Sequence, residues 1–452
     1  MSRNAGETLL LWAPRRPSRA ILCAGCVAEL CGALAANAYA QTVPLAATNV
    51  PQLAPPPTIA GRLYEPPTPS REYTALALGS WLLYPSLSGG LFYDTNVDQL
   101  PSGHDASIGL RLVPNLLAMS DNGIEKTTVY GLADGQAGSA AADDTVAANA
   151  GIVETYTPLR DLSVTAQGDY LRQKDLFSIF AINNNVGYLN PTGVGLAPTI
   201  EPQSYNQETL ALSTQKTFYR AFAGLGVSAV ELDYDRSGGV AAAPSGLATI
   251  GTARGGFWMT PFLYGYAEAS LDKRSYATSA LGSSGYRTVI GIGSSQVRFF
   301  RGQIYAGYEA ESYRAAAIGT VGGWVFGGRG EYAPLPNLNA MASLDESLGA
   351  SLLAPASVSI GGTATRVTAA LLSAQYAFAP DLSASGRAGY IRTDYINNPR
   401  RDDAWTVGAT LTYGIWRNFG LSLDYQHVEL TSNVPAASFS RDVVTIGGTY
   451  KY

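Results

Sequence analysis

From Trp81 to the last residue, apolar and polar positions alternate with a period of two, broken at intervals by turn residues. Over 162–170, Leu162, Val164, Ala166, Gly168 and Tyr170 fall on one face and Ser163, Thr165, Gln167 and Asp169 on the other. Phe419, Leu421, Leu423 and Tyr425 alternate in the same way with Ser422, Asp424 and Gln426. A two-residue period is that of a β-strand whose two faces meet different media. After residue 40 there is no apolar run of the roughly 18 residues or more that a bilayer-spanning helix needs.

The interruptions supply a topology. Tight connections occur at Asp121-Asn122-Gly123, Pro158-Leu159-Arg160-Asp161, Phe218-Tyr219-Arg220 and Met259-Thr260-Pro261. They recur at Val297-Arg298-Phe299, Pro334-Leu335-Pro336-Asn337, Pro380-Asp381 and Trp416-Arg417-Asn418. Between neighbouring tight turns lies a longer polar or Gly/Ala/Ser-rich loop, the longest over 178–204. Eight hairpins, an opening strand from Trp81 and a closing strand ending at Tyr452 make about eighteen strands. The predicted fold is all-β, a transmembrane antiparallel β-barrel with short periplasmic turns and longer extracellular loops. Such a barrel pairs every backbone group while showing alternate side chains to lipid and to water.

Residues 1–40 are expected to be an export signal: Arg15, Arg16 and Arg19, an apolar run from Ala20 to Leu34, and the small-x-small triplet Ala38-Tyr39-Ala40. Cys23, Cys26 and Cys31 all fall within it, so no thiol, disulfide or sulfur metal site is expected beyond it. Residues 41–78 carry eight prolines, from Pro44 to Pro69, and are expected to be extended or disordered. This stretch is either a flexible periplasmic leader or a segment that folds into the lumen as a gate. Residues 79–452 form the barrel.

Composition fits this picture. Charged residues are only 14%, and 27 tyrosines stand against 13 phenylalanines, as suits walls with aromatic belts. Trp81, Tyr84, Trp258, Phe262, Phe299, Tyr413 and Trp416 lie near strand ends and are expected to form those belts. Losing the signal removes four arginines and two glutamates and takes the net charge from −5 to −7, which argues against nucleic acid as a partner. The partners expected instead are outer-membrane lipid and the barrel-assembly machinery.

Candidate chemistry is sparse. His104 and His427 lack partners at ligand spacing, and Gly282-Ser283-Ser284-Gly285 reads as loop rather than a nucleophile elbow. No catalytic residue, cofactor or metal is expected. With apolar residues toward lipid, Glu231, Asp233, Glu309, Glu311, Asp345 and Asp424 should project into the lumen, as should Arg111, Arg301 and Arg387. These charges either set what a narrow wet channel passes or pair across it and stiffen the wall. An acidic excess, led by Glu231, Asp233 and Asp235, would favour cations. The chain is thus expected to be a pore passing or exporting a hydrophilic solute; a general diffusion porin and a sealed structural or adhesive barrel are the alternatives.

The opening strand carries a recognisable pattern, Leu83-Tyr84-Pro85-Ser86-Leu87 followed by Gly89-Gly90-Leu91-Phe92-Tyr93-Asp94-Thr95-Asn96-Val97. It resembles the start of the outer-membrane β-barrel porin 2 family. That resemblance implies a Gram-negative outer-membrane barrel associated with capsule or exopolysaccharide production, and so periplasmic polysaccharide-export components as partners. It implies no catalytic residues.

The closing strand, Thr445-Ile446-Gly447-Gly448-Thr449-Tyr450-Lys451-Tyr452, resembles the terminal signal captured by the assembly machinery, with Gly447, Tyr450 and Tyr452 as its main features. Deleting Tyr450 to Tyr452 is therefore predicted to leave the chain periplasmic and protease-sensitive. Normal surface levels of a heat-modifiable band after the deletion would refute this assignment.

Overall fold

The computed structural model describes residues 75–140, 144–173, 194–195, 204–234, 245–276, 282–297, 299–315, 319–351, 364–396, 399–433, 435 and 438–452. The expected signal, most of the Pro-rich leader and most of the 178–204 loop lie outside these residues.

Eighteen long strands follow one another along the chain. They are β1 Trp81–Asp94, β2 Ser107–Asp121, β3 Glu125–Gly138, β4 Thr145–Leu159, β5 Leu162–Gln173 and β6 Tyr205–Phe218. Next come β7 Ala221–Tyr234, β8 Gly246–Trp258, β9 Leu263–Tyr276, β10 Ser283–Val297, β11 Phe300–Tyr313 and β12 Thr320–Leu335. The last six are β13 Leu338–Ser351, β14 Ala364–Ala379, β15 Leu382–Ile396, β16 Arg401–Trp416, β17 Phe419–Ser432 and β18 Phe439–Lys451. Each pairs antiparallel with the next, and all eight expected tight turns connect the strands at one rim. Two short pieces add to the sheet. Leu76–Leu78 folds back onto Trp81–Leu83, and Val194–Gly195 lies parallel to Ala350–Ser351.

The turns form for local reasons. At the β2–β3 turn, Asp121 Oδ1 accepts from the Gly123 amide at 2.8 Å, and Asn122 Oδ1 accepts from Ile124 and Glu125 at 3.0 and 2.7 Å. Gly123 itself has φ 89°, a conformation that costs glycine nothing.

The sheet closes where β18 returns to β1, from Ser86 opposite Lys451 to Asp94 opposite Val443. Side chains reinforce this seam at its upper end. Arg441 donates to Asp94 from Nε at 2.8 Å and from Nη2 at 2.5 Å, and Asp94 is buried. The buried Asn96 donates to the Ser440 carbonyl at 2.9 Å, and Thr95 exchanges hydrogen bonds with Asp442. The Tyr-Asp-Thr-Asn run of the opening strand is thus the latch that joins first strand to last.

The outer face is apolar. Leu110, Leu271, Ile290, Ile304, Leu423 and Ile446 are exposed along its height, and Phe262, Phe299, Tyr413 and Trp416 are exposed beside the short turns. Trp258 departs from the expected aromatic belt. It is buried on the inner face against Tyr264, with ring centroids 5.0 Å apart, in a cluster with Phe222 and Tyr266. Its parity explains the departure: Phe257, one residue earlier, takes the exposed outer position.

Two predictions follow from closure and parity. Leu423→Arg, on the lipid face, is expected to cost about 2–4 kcal/mol near the midplane, and Ser422→Arg, on the inner face, much less. Equal losses in urea unfolding from liposomes would mean the faces are exchanged. Asp94→Ala removes the buried carboxylate that Arg441 grips at two points and is expected to cost about 1.5–3 kcal/mol. Asp161→Ala, which removes an exposed partner of Lys216, should leave stability nearly unchanged in the same measurement.

Candidate functional site in the barrel lumen

The inner face carries charge on both walls, and nearly all of it is paired. Across β8 to β13 runs a connected band. Arg254 lies over the Tyr266 ring at 3.9 Å, donates to Gln303 at 3.0 Å and stands 3.9 Å from Glu268. Arg287 donates to Tyr305 Oη at 3.0 Å and to Asp345 at 3.2 Å, and lies 3.9 Å from Glu309. Tyr305 donates in turn to Asp345. Higher up, Arg274 sits 2.8 Å from Asp272 and 3.7 Å from Glu311, which is almost fully buried. Near the short-turn rim Arg301 pairs with Glu331.

The opposite wall holds discrete pairs. Arg111 grips Asp134 in a two-point contact at 2.9 and 2.6 Å. Arg387 reaches across β16 to Asp424 at 3.1 Å, and Thr410 donates to the same carboxylate at 2.6 Å. Asp169 accepts from Tyr130 at 2.5 Å and from Asn149 at 3.2 Å. Two-point arginine–carboxylate contacts are both stronger and more directional than single ones.

Seven of the nine expected lumen residues therefore stand on the inner face: Arg111, Arg301, Glu309, Glu311, Asp345, Arg387 and Asp424. Glu231 and Asp233 do not. β7 keeps an unbroken register with β6 and β8, so its faces cannot exchange along its length. Leu225, 61% exposed, and Val227 mark the outer face, whereas Val230 is fully buried opposite Ala248 on the inner one. Glu231 and Asp233 share the parity of Leu225, and Glu231 stands opposite Glu208. The physical reason is depth. Above the hydrocarbon slab the outward positions meet headgroups and water, so acids are tolerated there while the inner face packs Val230. Asp235 lies outside the described residues.

Sequence reasoning missed Asp94, Asp134, Arg254, Arg274, Arg287 and Arg441. Their signal was parity: Arg287, for example, alternates with the exposed Tyr286, Ile290 and Ile292. No cluster of three or more His, Cys, Asp or Glu side chains that would hold a metal ion occurs among the described residues. His427, which has no partner at ligand spacing in the sequence, lies 2.9 Å from Asp442. That pair sits on the outer face.

No curated protein matches the chain in sequence. Among solved structures, it is similar to a BenF-like porin from Pseudomonas fluorescens Pf-5, with 10% identity, TM-score 0.44 and coverage of 83% of this chain and 100% of that one. OpdQ of Pseudomonas aeruginosa is similar at 11% identity and TM-score 0.43, over 83% of this chain and 100% of that one. Acinetobacter baumannii OccAB4 is similar at 11% identity and TM-score 0.43, over 85% and 100%. A family model described as "Putative beta-barrel porin 2" matches residues 72–452. The chain belongs to that family, and is a porin-type barrel of the Gram-negative outer membrane.

Proposed function

We propose that the barrel is a water-filled pore for small hydrophilic solutes, with weak discrimination by charge sign. The observation that carries this reading is the contrast between the two faces. The outer face is a continuous apolar surface, whereas the inner face bears charged side chains from the short-turn rim to the upper strands on both walls. An 18-stranded barrel is wide enough for an aqueous lumen. Paired charges hold the wall rigid and hydrated without giving the lumen a strong field of one sign. With Glu231 and Asp233 on the outer face, the cation preference expected from them loses that support, and the charges left on the inner face are mostly paired.

Export of exopolysaccharide, which the family resemblance implied, draws no support from these residues. Among the described residues, most polar contacts of the inner face run within the wall itself. The second reading, a sealed barrel, is favoured only by the inner aromatic cluster of Phe222, Trp258, Tyr264 and Tyr266, which narrows the lumen on one side.

Planar-bilayer recording distinguishes these readings. The mature protein is expected to give discrete current steps, with a reversal potential near zero across a salt gradient. Arg329 stands exposed on the inner face. Arg329→Gln is expected to shift the reversal potential toward cations, and the shift should fade near 1 M salt, where the screening length is about 3 Å. Glu231→Gln with Asp233→Asn should leave it unchanged. Correctly folded protein without current steps would establish the sealed barrel, and a shift in the double variant would return those acids to the ion path.

A further inference from the structure

One seam of the wall is built differently from the others. β12 pairs with β13 only from Gly327 opposite Asp345 down to the short turn at Leu335 and Leu338. Above that point β12 stays paired with β11 as far as Thr320, and β13 stays paired with β14 as far as Ala350, yet the two do not pair with each other. The upper edge of β13 takes Val194–Gly195 instead. The stretch 320–326 spans about 23 Å of strand, so the missing ladder reaches down into the outer-leaflet half of the wall.

The two edges overlap rather than meet. By parity with the exposed Leu344, Glu346 and Leu348 belong to the outer face of β13, yet they are only 7% and 4% exposed. Ala364 of β14, with the parity of the exposed Leu372, is 1% exposed. What covers them is the inner face of β11 and β12. The Leu348 amide donates to Glu309 of β11 at 3.3 Å, one strand beyond its nominal neighbour. Ala364 packs with Tyr313 of β11 in a cluster joined by Val321 and Ile396. Gly323 of β12 leaves the space that the Arg366 guanidinium occupies, so that a Cβ there would collide with it. Arg366 in turn reaches Glu346 at 3.4 Å. The top of β13 and β14 therefore passes behind β12 on the lumen side, as in a lap joint. Glu346 and Arg366, at positions that face outward in a regular ladder, are turned inward by this overlap and pair with each other.

An unpaired strand edge at bilayer depth persists only where it borders water or protein. A pore for hydrophilic solutes needs no such opening. The joint is apolar on one side, through Tyr313, Val321, Ala364 and Ile396, and carries the partly exposed Arg366 on the other. Its outer lip is Trp324, 74% exposed, and Val367, next to Arg366 in the chain, belongs to a buried apolar cluster with Ala369, Ile391 and Val428. Chain and head of an anionic amphiphile are both provided for.

We propose that the overlap of β12 with β13 and β14 is a lateral portal through which single-chain anionic amphiphiles pass between the lumen and the outer leaflet. This does not depend on free passage of hydrophilic solutes along the lumen, and the test reads the two separately.

The sequence has no cysteine after Cys31, so Tyr313→Cys with Ala364→Cys introduces the only thiols of the mature chain. A short reagent that forms a disulfide with each thiol bridges the joint reversibly. Radiolabelled dodecyl sulfate, below its micellar concentration, serves as the probe in proteoliposomes, with ion conductance recorded on the same preparations. Bridging is expected to abolish most of the protein-dependent transfer of dodecyl sulfate, leave conductance as in the reduced protein, and be reversed by dithiothreitol. The reduced double variant, transferring at the wild-type rate, controls for folding. Transfer that persists after bridging would overturn the portal, as would the absence of transfer in wild-type protein that conducts ions. Loss of transfer and conductance together would overturn it as well, because the reagent would then be closing the lumen and not the joint.

Discussion

Everything in this molecule follows from the need to leave no backbone amide or carbonyl unpaired against hydrocarbon. One long antiparallel sheet meets that need only by returning to its own first strand, and the return is the least local contact in the chain. Ser86 and Lys451 stand opposite each other across it, 365 positions apart in sequence. The closure depends on few paired residues, and the Asp94–Arg441 contact with the Asn96 and Thr95 hydrogen bonds holds its upper end. A buried carboxylate gripped at two points by an arginine resists sliding in a way that an apolar contact does not, and a slip of one residue would exchange the faces of the whole strand.

The same arrangement of buried acid and reaching arginine recurs around the interior. Arg287 ties Tyr305, Glu309 and Asp345 together across several strands, and Arg387 spans β16 to reach Asp424. The contacts of Arg287 with Asp345 and of Arg387 with Asp424 join strands that share no ladder, so they brace the wall against flattening as well as neutralising charge. On the reading proposed above, the lumen is a wet channel lined mostly by charges that are already paired. A lining whose charges are held in pairs suits the proposed passage with little selection by charge.

The seam between β12 and β13 trades this continuity for an overlap. The bracing residues lie beside it: Asp345 is the last residue of the β13 ladder with β12, and Glu309 receives the Leu348 amide. The wall is therefore closed by side chains where it is not closed by backbone. Side-chain contacts of that kind exchange with water more readily than a ladder does, which makes the overlap a place where the wall can part.

Much of the fold was legible along the chain, because a period of two and the positions of Gly, Pro, Asn and Asp are local properties. All eight tight turns, the eighteen strands and the outward stripe of Ile446, Tyr450 and Tyr452 follow from them. So did the inward placement of Glu309, Glu311, Asp345 and Asp424. Alternation states which residues share a face, but not which medium that face meets at a given height. Glu231, Asp233 and Trp258 were misplaced for that reason: at the rims the slab of hydrocarbon ends, and polar and apolar residues no longer sort by face. Pairing across several strands was invisible for a different reason. Arg287 and Asp345 are 58 positions apart and meet only because curvature brings β10 and β13 to one inner surface. The lap joint belongs to the same class. Glu346 and Arg366 keep the alternation of a lipid-facing wall, and only the inward bend of two strands, with Gly323 yielding space to a guanidinium, turns that face into the lumen. Local periodicity determined the strands, their turns and most of their faces; the register between distant strands and the curvature of the closed sheet decided which charges meet and where the wall overlaps itself.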